Sequence, residues 1–152
     1  TWRYHYMRSQ KLIVLGFLLG GAFLLNPTAK ASTYHSGTPK ALRGCWYLGK
    51  QSYLEYWSRH TGMNNLQYSS AYGGYLKPNP YGLTYVKYKY LGYHTYRLTG
   101  WTYSTSQDFR VIDPTSEKYT YNVRLLNSKQ LYLCDRNVTY TKYTTTPGWV
   151  VD

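Results

Sequence analysis

Much of the second half of the chain alternates side chains residue by residue, and this pattern most restricts its fold. In Leu83-Thr84-Tyr85-Val86-Lys87-Tyr88-Lys89-Tyr90, Leu83, Tyr85 and Lys87 fall on one side, and Thr84, Val86, Tyr88 and Tyr90 on the other. His94 to Trp101 sets Tyr96, Leu98 and Gly100 against Thr95, Arg97 and Thr99. Tyr119 to Leu126 sets Tyr119, Tyr121, Val123 and Leu125 against Thr120, Asn122 and Arg124. A period of two belongs to a β-strand, whose side chains point alternately to opposite faces. Gly92, Asn127-Ser128 and Asp135-Arg136-Asn137 separate these runs as turns.

The first half is less regular. Leu42 to Leu48 reads as the first strand, with Leu42 and Trp46 on one face and Arg43, Cys45 and Tyr47 on the other. Tyr53 to Ser58 reads as a strand or a short helix, Thr61 to Asn65 as a turn, and Leu66 to Ser70 as a short strand. Lys77-Pro78-Asn79-Pro80 breaks the chain. Ser104 to Gln107 reads as a loop and Phe109 to Ile112 as a short strand closed by Asp113-Pro114. Gln130 to Cys134 and Val138 to Tyr143 complete the series. The 21 tyrosines supply core area that few Ile, Val and Phe could provide, and Tyr and Thr suit a pleated, half-buried surface. The expected fold is all-β, a small antiparallel barrel of about eight strands over residues 42–143. A mobile polar lead-in over 32–41 and a tail over 144–152 flank it.

Residues 1–31 read as an export signal. Arg8 and Lys11 precede the uncharged apolar run Leu12 to Leu25. Asn26-Pro27-Thr28 breaks that run, and Ala29-Lys30-Ala31 forms an A-x-A site with cleavage before Ser32. The run falls short of the roughly 20 residues that cross a bilayer, so a signal-peptide helix and a secreted product without a membrane span are expected. Met7 is the natural initiator, and residues 1–6 carry no assigned role. Four of the 18 Lys and Arg precede Ser32, which leaves 14 cations against six acids, a charge of +8.

The stretch Thr38-Pro39-Lys40-Ala41-Leu42-Arg43-Gly44-Cys45-Trp46-Tyr47 contains a Gly-x-Trp in the first strand. It resembles the lipocalin-like pattern. More widely it is similar to the small, basic, tyrosine-rich secreted barrel proteins of lactobacilli and related bacteria. The resemblance implies a fold and no activity. By residue type, Gly44 is expected to let another backbone or a large ring approach closely at a bend, and Trp46 to plug one end of the barrel.

Two cysteines, Cys45 and Cys134, invite a disulfide in an exported chain, worth roughly 4–5 kcal/mol in the chain-entropy model; two free thiols are the alternative. Catalysis is not expected. Glu55, between Tyr53 and Tyr56, has no second carboxylate at a glycosidase separation, and no nucleophile elbow or phosphate-cradling loop occurs. No Cys or His pair has metal-ligand spacing, and no cofactor is expected.

The expected role is binding at the bacterial surface. Cations interleave with tyrosines at Lys87, Tyr88, Lys89, Tyr90, Tyr96 and Arg97, and again at Arg124, Tyr140, Lys142 and Tyr143. Cations attract anionic wall polymer, and aromatic faces stack on sugar rings. A small apolar ligand inside the barrel, or inhibition of a protein partner, is the alternative. A monomer is expected, and export disfavours nucleic acid as the biological partner.

Overall fold

A computed structural model describes residues 33–151. The proposed signal helix and the cleavage residues Ala29, Ala31 and Ser32 lie outside the described residues. The fold is all-β. Nine antiparallel strands form one curled sheet in the order β1-β7-β8-β9-β10-β11-β2-β3-β4, and three short strands form a second sheet, β12-β6-β5. The strands of the curled sheet are β1 (His35–Ser36), β2 (Gly44–Leu48), β3 (Ser52–Tyr56), β4 (Thr61–Asn65), β7 (Gly82–Gly92), β8 (Thr95–Tyr103), β9 (Lys118–Asn127), β10 (Gln130–Leu133) and β11 (Val138–Tyr143). The small sheet holds β5 (Gln67–Ser69), β6 (Gly74–Leu76) and β12 (Val150–Val151).

The curled sheet is barrel-like but not closed. β4 and the start of β7 meet through one isolated bridge, in which Met63 N–H donates to Tyr81 O at 2.8 Å and Tyr81 N–H donates to Met63 O at 3.1 Å. Gly82 allows this approach, because a Cβ there would sit 2.2 Å from Thr61 O. Tyr103 OH also donates to Thr61 O, at 2.7 Å. Outside the seam, the His60 ring stacks between Trp57 at 4.3 Å and Phe109 at 4.0 Å. Thr84 Oγ1 donates to Phe109 O and holds the 104–117 loop across the seam.

The concave face carries the main core, including Leu42, Trp46, Leu54, Leu98, Val123 and Tyr140. A second cluster of Tyr47, Tyr53, Leu66 and Val150 lies on the convex face, with Tyr75 and Trp149 of the small-sheet region packed against it. β3 is therefore covered on both sides: Leu54 and Tyr56 point into the main core, and Tyr53 into the second cluster.

Several segments differ from the sequence reading, each for a physical reason. The lead-in is structured: His35 pairs with Tyr88, Gly37 N–H donates to Val86 O at 2.7 Å, and Thr38 N–H donates to Ser58 O at 3.0 Å. The tail likewise ends in β12, parallel to β6. Thr61 to Asn65 is a strand, because pairing with β3 outweighs the turn preference of Gly and Asn. Phe109 to Ile112 is loop, its Phe taken up by the His60 stack. In β7 the alternation slips by one. Thr84 pairs with Trp101 and Lys87 with Thr99, so three steps on β7 match two on β8. This bulge, with Tyr85 at φ 49, lets Leu83 and Val86 both reach the core while Tyr85 points out.

Candidate functional site

The pleat divides the predicted site between the two faces of the sheet. After the bulge, Val86 points inward, so Tyr88 and Tyr90 do too, and Lys87 and Lys89 point outward. On β8 Leu98 is fully buried, which sends Tyr96 inward and Arg97 outward. Val123 is fully buried on β9, which sends Arg124 outward. The sequence places cations and tyrosines side by side; the strand places them back to back.

The outward group forms a row across adjacent strands. Lys89 pairs directly with Arg97, and Arg97 with Asn122. Arg97 Nε donates to Asn122 Oδ1 at 3.0 Å. Arg124 pairs with Thr95 on one side and Tyr132 on the other. Aromatic rings close both ends. Lys89 Nζ lies 5.4 Å from the Tyr34 ring centroid, and the Arg124 guanidinium lies 5.5 Å from that of Tyr132. From β1 to β10 the row spans about 19 Å at the usual strand spacing. Lys87 and Lys118 extend it, with Trp101 exposed opposite Lys118.

Two like charges directly opposite on neighbouring strands repel. Among the described residues no carboxylate relieves them. The ion pairs among the described residues are Lys77–Glu55 and Arg110–Asp108, both elsewhere. Of the acids, Asp108 and Asp113 lie in the 104–117 loop and Glu117 ends it, Asp135 follows β10, and Glu55 faces Lys77 beside the second cluster. The face thus holds an unneutralised positive field.

The inward tyrosines form a separate group at one end of the concave face. His35 and Tyr88 have ring centroids 5.3 Å apart, Tyr88 and Tyr96 6.2 Å, and Tyr90 and Tyr96 5.3 Å. Burial, then the neighbouring Tyr90 and Tyr88, raises the Tyr96 phenol, so it stays a neutral donor.

Three of the predicted binding residues, Tyr140, Lys142 and Tyr143, serve other purposes. Tyr140 is buried in the core, with its hydroxyl 3.1 Å from Ser52 Oγ, and cannot meet a ligand. Lys142 shares its inward parity: Nζ lies 5.0 Å from the Trp46 ring centroid and donates to Arg43 O at 2.7 Å. Tyr143 packs edge-on to Tyr47 at 5.5 Å beside the second cluster. Trp46 is fully buried, with Nε1 donating to Leu42 O at 2.8 Å. Gly44, at φ 120, leaves room for the Lys142 chain rather than for a ring.

The cysteines are both free. Cys45 pairs with Tyr143 at one end of β11, while Leu133, beside Cys134, pairs with Val138 at the other. Those positions are about 17 Å apart along the strand, and a disulfide requires Cα atoms within about 7 Å. The expected bridge is therefore not formed: β11 runs antiparallel between the two cysteine-bearing strands and carries them to opposite ends. Burial pushes the Cys45 thiol up to about 11, with the nearby Tyr47 acting in the opposite sense.

A cavity of about 230 Å³ opens at the seam end, lined by Leu54, Met63, Leu83 and Tyr121 with Asp135 and Arg136. Among the described residues no group of three or more His, Cys, Asp or Glu could hold a metal ion, and no helix is long and apolar enough to cross a membrane. Sequence reasoning missed Tyr34 and Tyr132 as the ends of the cationic row. Tyr34 lay in a segment read as mobile, and the partnership of Tyr132 with Arg124 depends on which strands are neighbours. Compared with family models, curated proteins and solved structures, the chain matches none.

Proposed function

We propose that this is a secreted, non-catalytic binding protein that holds anionic wall polymer or glycan on the outward face of β7, β8 and β9. One observation carries the reading: Lys89 and Arg97 face each other across strands, with Arg124 nearby, and no carboxylate answers them. An anionic chain laid across the face would remove the repulsion and gain several charge-assisted contacts at once. Tyr34 and Tyr132 offer ring faces at either end of the same row.

The second reading, a small apolar ligand, draws on the seam cavity. At about 230 Å³ that cavity lies below the roughly 300–1,000 Å³ of ordinary ligand pockets. The cationic face is the stronger candidate.

The test is co-sedimentation with purified cell walls and titration with long-chain polyphosphate. Removing Lys89, Arg97 and Arg124 together should weaken both by roughly 3- to 150-fold, since exposed charge contacts contribute roughly 0.2–1 kcal/mol each. Binding should also fall as salt rises from 0.05 to ~1 M, where the screening length drops to about 3 Å. Equal retention of the wild type and the triple alanine variant would exclude this face.

A further inference from the structure

A second candidate site lies on the other side of the β1–β7 pair. An open groove of about 600 Å³ is lined by His35, Lys40, Arg43, Tyr88 and Tyr96, with Thr38 at its base. None of its lining residues is acidic. The walls come from the segment 35–43 on one side and the inward tyrosines on the other. The tyrosines excluded from the outer row by the pleat thus find cations here after all, supplied by a different stretch of chain.

We propose that this groove takes one sugar unit bearing an anionic group, a phosphate or a carboxylate. Three observations carry the assignment. Arg43 is partly buried and has no carboxylate partner among the described residues. Its Nη2 makes one long bond to Thr38 O at 3.2 Å, and its Nε is a buried donor without a partner. The Nε has no accessible surface, so a ligand would meet the terminal guanidinium nitrogens, whose paired N–H groups match a planar or tetrahedral anion. Lys40 is exposed on the same wall, a second cation within the groove. Opposite them, the Tyr88 and Tyr96 rings, 6.2 Å apart and inclined at 67°, offer apolar faces and hydroxyl groups of the kind that contact a pyranose ring. A free anion would leave the rings unused, and a neutral sugar would leave Arg43 unanswered.

The inference extends the polyanion reading: β1 separates the groove from the outer row, with Tyr34 beside Lys89 outside and His35 beside Tyr88 within. A polymer held on the outer row could place one unit in the groove. The groove's own chemistry does not depend on that.

Calorimetric titration of the wild-type protein with glucose 6-phosphate, glucuronate, glucose and inorganic phosphate tests the proposal. At least one of the two anionic sugars should bind about tenfold more tightly than both glucose and phosphate, and the stronger of the two identifies the anionic group. Arg43→Gln should lower that affinity at least about tenfold. Lys40→Gln, at an exposed position that cannot disturb the fold, should lower it about threefold. The proposal is overturned if neither anionic sugar binds more tightly than both glucose and phosphate, or if Lys40→Gln leaves affinity unchanged. The triple alanine variant of Lys89, Arg97 and Arg124 separates the two readings. It should lose polyphosphate and keep the sugar, whereas retention of polyphosphate sinks the outer-face reading and leaves the groove standing.

Discussion

His60 shows how one side chain ties a seam to pH. Its ring is stacked between Trp57 and Phe109, and burial lowers its pKa below the ordinary 6.5, with the charge of Glu55 acting more weakly in the opposite direction. The unfolded chain therefore takes up a proton near pH 6.5 while the folded chain resists it. This contribution is absent at neutral pH and destabilises the fold as pH falls below about 6.5. Melting temperature should accordingly fall more between pH 7.5 and 5.5 in the wild type than in His60→Phe, which keeps a ring in the stack. Equal falls would mean that His60 is already accessible to protons. The cysteines make the second prediction at this scale. Alkylation under denaturing, non-reducing conditions should add two labels per chain, and native Cys45 should react slowly because burial keeps its thiol protonated at pH 8. A chain that takes no label until reduced would refute the free thiols.

At the scale of elements, β7 decides most. Its bulge at Tyr85 turns a strand that is regular in sequence into one whose two halves present different parities to the core. Its Tyr93-His94 hairpin to β8 uses two non-glycine residues at positive φ, 49 and 56, where Asn-Gly would be usual. Its start meets β4 through the Met63–Tyr81 backbone bridge and through Leu83 N–H, which donates to Thr61 Oγ1 at 3.2 Å. Gly82→Ala would drive a Cβ into Thr61 O and Thr61 C, at 2.2 and 2.8 Å, and backbone cannot swing aside as a side chain can. Loss of about 1–3 kcal/mol is expected, as for other overpacked sites, with faster exchange of the Met63 and Tyr81 amides. Unchanged exchange at those amides would show that the bridge does not hold the seam.

At the scale of the molecule, the 14 cations of residues 32–152 are not spread evenly in effect. Lys77 is neutralised by Glu55 and Arg110 sits beside Asp108, whereas among the described residues no acid lies against the β7–β9 row or the Lys40–Arg43 groove. Net charge alone predicts attraction to any polyanion; the arrangement gives that attraction a face and a direction. Antiparallel all-β architecture was legible in the sequence because period-two alternation is a local property, and so was the burial of Trp46. Cations and tyrosines were also legible as candidates, since their types are read directly. Their division was not, because a one-residue bulge in β7 and the burial of Leu98 and Val123 set which side each residue takes. The ordered lead-in, the Phe109 loop and the separation of Cys45 from Cys134 depend on pairings between distant segments, and those carry no local signal. What the residues determined by themselves was strand, charge and aromatic content; tertiary pairing alone decided which cation meets which ring, because side-chain direction in a sheet is set by register with neighbours far away in the chain.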